Sequence, residues 1–194
     1  MEKIKYIKKY ILLLFLILSF PLFIYSNKTD NIPKTIKVGD PAPTFVIKSL
    51  DGKLFFLRDF CGEHLRKPWI NKEKKCVILS FFASWCMPCM EEIKILHKIN
   101  DHNDNLIILL INVGEPREKV LQLAEKQNFK LPVLLDDYLT VSREYNIIDE
   151  KNNAKLPQLV FINKQGEIVY KSMGMDSPHK FINNILENIK RYNE

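Results

Sequence analysis

Two cysteines separated by Met87 and Pro88 lie in the segment FFASWCMPCMEE, from Phe81 to Glu92. A pair at this spacing suits reversible disulfide exchange, half of a metal clamp, or two unrelated thiols. The surroundings discriminate among them. Upstream, CVILSFF (Cys76–Phe82) is a short apolar run of the kind that forms a strand buried on both faces. Downstream, Ile93, Leu96 and His97 fall along one side of a helix that begins near Cys86. A cysteine at a helix amino terminus faces unpaired backbone N–H groups and the positive end of the dipole, which stabilise thiolate. Cys86 is therefore the expected nucleophile. Cys89, on the same face within the first turn, is placed to attack a mixed disulfide held on Cys86 and release the substrate. Pro88 fits that turn because its missing N–H would find no partner there. Trp85 is placed to shield the pair on one side.

The other titratable groups divide by reach. Glu92 lies three residues after Cys89 and shares its face, whereas Glu91 points elsewhere. His97 lies eight residues after Cys89, about 12 Å along a helix, too far to serve as the base. His64, His102 and His179 read as surface residues. Cys61 and Cys76 bracket the segment GEHLRKPWINKEKK. If Cys76 begins its strand, Phe82 lies about 20 Å along it, and the reactive pair lies beyond that far end. Cys76 is thus no resolving thiol, and the same separation argues against a four-cysteine zinc site. A Cys61–Cys76 bridge pinning the insert is one reading; a loop thiol and a buried core thiol is the other.

The amino terminus reads as an address. Lys3, Lys5, Lys8 and Lys9 precede an apolar run from Ile11 to Tyr25, interrupted only by Ser19 and Pro21. That is the pattern of a signal peptide or an uncleaved membrane anchor, and it places the domain outside the cytoplasm. The net charge of +6 is concentrated there: the first 28 residues hold five lysines and one glutamate, which leaves +2 for the remainder. A nearly balanced domain with no basic stripe gives no footprint for nucleic acid. The expected division is residues 1–27 as signal or anchor, 28–37 as tether, and 38–194 as one folded domain.

The elements that must position the cysteines follow from punctuation and period. Asp51-Gly52 between two apolar runs marks a hairpin. LIILLINVG (Leu106–Gly114) reads as a second buried strand. Pro116 opens a helix with Val120, Leu123 and Ala124 on one face. LPVLLDD is a third short strand, and LPQLVFINKQGEIVYKSMG is a hairpin turning at Lys164 to Gly166. Ser177 as cap and Pro178 at the first helical position open a final helix, with Phe181, Ile182, Ile185, Leu186 and Ile189 on its apolar face. The layout is α/β, a central mixed sheet flanked by helices with an N-terminal hairpin extension. In such sheets chemistry sits beyond the carboxyl ends of the strands, where WCMPC falls.

From about Lys37 to Tyr192 the chain resembles extracytoplasmic thioredoxin-fold proteins of the ResA/TlpA type, within the AhpC/TSA–Redoxin superfamily. The matching pieces are GDPAPTF, DGK, SFFASWCMPCMEE, INVGE, LPVLLD, LPQLVFINKQGEIV and the closing helix. The resemblance implies a protein-disulfide oxidoreductase that uses the Cys86–Cys89 disulfide and no other cofactor. It implies that Pro157 is a cis-proline lying against the cysteines, and that Trp85, Pro88, Leu156 and Pro157 contact the substrate. It also implies that Glu92 tunes proton transfer at the pair; the alternative is a solvated first-turn carboxylate favoured by the dipole. Ser80 departs from cytoplasmic thioredoxins, which carry a buried aspartate at that place, and this leaves Glu92 as the nearest candidate for acid–base work. The implied partners are proteins with disulfides, apocytochrome c among them, and a membrane thiol donor of the CcdA/DsbD type, with the N-terminal segment holding the membrane. Two rivals fit less well. A peroxiredoxin-like peroxidase wants threonine where Ala83 stands. A Sco-like copper carrier wants a C-x-x-x-C spacing and a histidine where Pro157 stands.

Overall fold

The computed structural model of the protein describes residues 35–63, 73–101, 103–174 and 178–193. The leader, most of the tether, His64, His102 and Ser177 lie outside the described residues. Among the described residues no helix is long and apolar enough to cross a membrane.

Seven strands form one sheet: β1 (Val46–Ser49), β2 (Leu54–Phe56), β3 (Cys76–Phe82), β4 (Leu106–Val113), β5 (Val133–Asp136), β6 (Gln158–Ile162) and β7 (Ile168–Met173). Their order is β2-β1-β5-β4-β3-β6-β7. β3, β4 and β5 run parallel, and the strands outside them pair antiparallel, so the sheet is mixed. The helices are α1 (Met87–Asn100), α2 (Arg117–Gln127), α3 (Thr140–Glu144) and α4 (Pro178–Asn193). The predicted β1–β2 hairpin forms, and Gly52 takes φ +87° in its turn, a conformation glycine adopts without steric penalty.

All seven residues of β3 are buried, Ser80 among them, as its largely apolar run requires. Successive side chains alternate between the faces. Cys76, Ile78 and Phe82 pack with α1, Val120 of α2, and Ile185 and Ile189 of α4. Val77, Leu79 and Phe81 pack with Leu57, Val141 and Tyr145 on the other face. Two local expectations differ. Pro116 is the cap before α2 rather than its first residue. Leu186, expected on the apolar face of α4, is exposed. The short α3 lacked a sequence signal of its own; it is held by the buried Asp136 carboxylate, which accepts the Val141 and Ser142 N–H groups at 3.2 and 2.7 Å.

The alternation of β3 also decides between the two readings of Cys61 and Cys76, against the bridge. Both are buried free thiols. Cys76 faces the α1 side, where its thiol donates to the Tyr192 carbonyl at 3.6 Å. Cys61 lies in the opposite core and donates to the Leu57 carbonyl at 3.8 Å. The sheet separates them. Burial pushes the Cys61 thiol up to about 12 and raises that of Cys76, so neither is reactive at neutral pH. Oxidised protein should therefore show no fast-reacting thiol with Ellman's reagent when native and two after denaturation. Rapid labelling of the native form would contradict this packing.

Candidate active site

β3 ends at Phe82, and the chain turns over Ala83, Ser84 and Trp85 into α1. The Cys86 N–H closes that turn on the Ala83 carbonyl at 3.0 Å. Cys86 is the N-cap of α1, and its sulfur accepts the Cys89 N–H at 3.2 Å. The two cysteines form a disulfide with an S–S distance of 2.04 Å. They are 3% and 1% exposed, while Trp85 and Met87 on either side of Cys86 are 61% and 72% exposed. The Cys89 sulfur lies 3.8 Å from the Phe81 carbonyl oxygen. That contact is simple packing in the disulfide and becomes an S–H donation only in the dithiol.

The Leu156–Pro157 peptide is cis. β6 pairs with β3 so that Gln158 lies opposite Phe81. Pro157, one residue earlier, is thereby carried to the end of β3 where the cysteine segment begins. Pro157 is buried, and the Gly174 N–H donates to its carbonyl at 2.9 Å. Leu156 is half-buried and packs against the cluster that holds both cysteines. The structure thus gathers Trp85, Cys86, Pro88, Cys89, Leu156 and Pro157 at one end of the sheet. His97 is elsewhere: its Nε2 accepts the Lys130 N–H at 3.3 Å, and burial lowers its pKa.

Glu92 is fully buried, which overturns the reading of it as a solvated carboxylate. It lies on the inner face of α1 with Cys89, Ile93 and Leu96. Its Oε1 accepts the Ser80 hydroxyl at 2.7 Å, and its Oε2 has no hydrogen-bond partner among the described residues. Burial pushes its carboxyl up to about 7, against a smaller lowering by the Ser80 bond. Ser80 thus stands directly against the carboxyl. An acid that titrates near neutrality one turn along from Cys89 is suited to proton exchange with a thiol.

A second carboxylate escaped the sequence reading. Glu115 follows β4 and is only 8% exposed. Burial works to raise its pKa, but donation from Lys119, Ser84 and Asn112 outweighs it and holds the carboxyl below its ordinary value. The available signal was Asn112 and Glu115, polar residues at the carboxyl end of a buried strand next to β3. Environments that push two carboxyls apart assign them different work. Glu92 can carry a proton at neutral pH, and Glu115 stays ionised.

Comparisons with known proteins agree with this arrangement. The AhpC/TSA family model matches residues 38–171. The chain is 28% identical over 160 residues to the thiol-disulfide oxidoreductase ResA of Geobacillus thermodenitrificans, covering 81% of each chain. It is similar to a solution structure from Bacteroides thetaiotaomicron described as a protein disulfide isomerase, with TM-score 0.67 and 26% identity, covering 82% of this chain and 92% of that one. A Chlorobium tepidum structure described as a thiol:disulfide interchange protein DsbE has the same fold, with TM-score 0.66 and 18% identity, covering 81% and 99%. A buried disulfide capping a helix, a cis-proline at the adjoining strand and this kinship converge: the chain belongs to the AhpC/TSA family and is a ResA-like, thioredoxin-fold protein-disulfide oxidoreductase.

Proposed function

We propose that the protein reduces disulfides in partner proteins outside the cytoplasm, with Cys86 as attacking thiol and Cys89 as resolving thiol. The Cys86 thiolate attacks a substrate disulfide, forming a mixed disulfide and expelling one substrate thiolate. Cys89 then loses its proton to Glu92 and attacks the Cys86 sulfur. The Cys86–Cys89 bond forms, the bond to substrate breaks, and the second substrate sulfur leaves as thiolate. The substrate gains two electrons and the protein becomes the disulfide, with no cofactor besides that pair. Trp85, Pro88, Leu156 and Pro157 form the contact surface for the substrate.

The observation that carries the reducing direction is burial of the pair beside a buried carboxyl. At Cys89, which is 1% exposed and has a carbonyl oxygen against its sulfur, desolvation and the ionised form of Glu92 both disfavour thiolate. Strong oxidants owe their high potential to a stabilised reduced form; here the surroundings of Cys89 hold the dithiol back and favour the disulfide. The Cys89 N–H at the Cys86 sulfur supports Cys86 as the first to attack. The lysine-led apolar leader supports an extracytoplasmic site, as anchor or cleaved signal, where disulfides form and persist. A haem-attachment C-x-x-C-H must be reduced there before haem is joined, and family resemblance makes apocytochrome c the leading client. A membrane donor of the CcdA/DsbD type would restore the dithiol.

The test is an oxidised peptide carrying Cys-x-x-Cys-His, mixed with the reduced protein. Stoichiometric appearance of peptide thiols, with loss of protein thiols, is expected. Oxidation of the reduced peptide by the disulfide form, without the reverse reaction, would assign the protein to disulfide donation.

A further inference from the structure

β3 and β4 are adjacent and parallel, with Phe82 opposite Asn112, so the connections leaving their carboxyl ends lie side by side. One side chain ties the two together. Glu115 Oε2 accepts the Ser84 backbone N–H at 2.6 Å and the Asn112 side-chain amide at 2.9 Å. Its Oε1 accepts the Ser84 hydroxyl at 2.6 Å and pairs with Lys119 Nζ at 2.7 Å. Its own N–H donates to Asn112 Oδ1 at 3.0 Å. Both carboxylate oxygens are fully used, and Asn112 is 1% exposed. Such charge-assisted bonds are short and strong. Ser84 lies two residues before Cys86, within the turn that delivers it to the amino end of α1.

We infer that Glu115 is a positioning residue for the redox pair, holding the Ser84–Trp85 turn so that Cys86 keeps its place when the disulfide opens. In the oxidised protein the Cys86–Cys89 bond fixes the end of this turn covalently. In the dithiol that link is gone, and the Glu115 bracket is what still ties the turn to the neighbouring strand end. The bracket therefore contributes more to the reduced form than to the oxidised form. The Ser84 N–H and hydroxyl donate to different oxygens, and glutamine at position 115 replaces one of the two by an amide NH2, so both bonds cannot be kept as they stand. The dithiol should be weakened selectively and the protein should become more reducing.

This inference rests on Cys86–Cys89 exchange but on neither its direction nor its client. The experiment equilibrates full-length wild type, Glu115→Gln, Ser84→Ala and Ser84→Thr with glutathione buffers, and follows the pH profile of Cys86 alkylation by iodoacetamide. A wild type that equilibrates establishes the exchange chemistry in the same tubes, so failure of the variants to shift it counts against the bracket alone. Glu115→Gln is expected to move the equilibrium about tenfold toward the disulfide, the scale of one lost charged hydrogen bond, and to alter the alkylation profile. Ser84→Ala should move it the same way by less, and Ser84→Thr should restore it. Should Glu115→Gln fail to fold, the two Ser84 variants decide the matter. Wild-type equilibrium and alkylation in Ser84→Ala and Glu115→Gln, or equal destabilisation of the oxidised and reduced forms, would overturn it.

Discussion

Cys89→Ser should accumulate substrate proteins as mixed disulfides on position 86, and Cys86→Ser should accumulate none. The asymmetry follows from α1. The Cys86 sulfur receives the Cys89 N–H at the amino end of the helix, which favours its thiolate. Cys89 has a carbonyl contact in its place, from Phe81 at 3.8 Å, and a carbonyl oxygen does not stabilise an anion. Without Cys89 the first attack proceeds and resolution stops. Without Cys86 no attack begins. Turnover in either variant should fall by roughly three orders of magnitude or more, as expected when a covalent nucleophile or its partner is removed. Non-reducing gels of a cell extract, with and without dithiothreitol, read the result. Trapping by Cys86→Ser in place of Cys89→Ser would reverse the roles.

Glu92→Gln should change how both exchange and stability respond to pH. The native carboxyl titrates at about 7 against an ordinary 4.5 because it is buried. Between those values the folded protein holds a proton that the unfolded chain has lost, so stability falls as pH rises through this window and levels off above 7. The loss amounts to about 3 kcal/mol for such a separation. Glutamine has no charge to bury, so the variant should lose this fall in denaturation midpoint between pH 4.5 and 7. In exchange assays, wild-type resolution should accelerate as Glu92 ionises near pH 7. The variant should accelerate only where the thiols themselves ionise, leaving it about tenfold slower or more at pH 7, within the usual range for a lost general base. A variant with wild-type profiles in both experiments would remove Glu92 from the chemistry.

These effects trace back unevenly to the sequence. Cys76–Phe82 announced its own strand, because six apolar residues around a single serine require two covered faces. Cys86 announced its position, because a buried strand followed at once by a helical period leaves only a short turn for Trp85 and the N-cap. The contact between Ser80 and Glu92 was not readable in the same way. It joins a strand to a helix across twelve residues, and its 2.7 Å depends on how α1 lies against the sheet. The charge state of Glu92 depends on that packing, so the type and spacing of the residue left two roles open. Cys61 shows another limit. Alternation assigns Cys76 to a face, but Cys61 follows a short 3-10 turn, Leu57–Asp59, where no period assigns one. A bridge between cysteines on opposite sides of a sheet looked as reasonable as one on the same side. Glu115 was visible as a letter of INVGE but not as a bracket, because its partner Ser84 lies 31 residues away on the neighbouring connection.

The measurement that bears most directly on the proposed activity is the reduction potential of the Cys86–Cys89 pair, obtained from the purified protein equilibrated with reduced and oxidised glutathione. A buried pair beside a buried carboxyl predicts a potential well below the glutaredoxin range of about −200 to −230 mV, which suits a reductant of partner disulfides. A potential near the roughly −120 mV of strong disulfide donors would contradict the account and reverse the direction of electron flow.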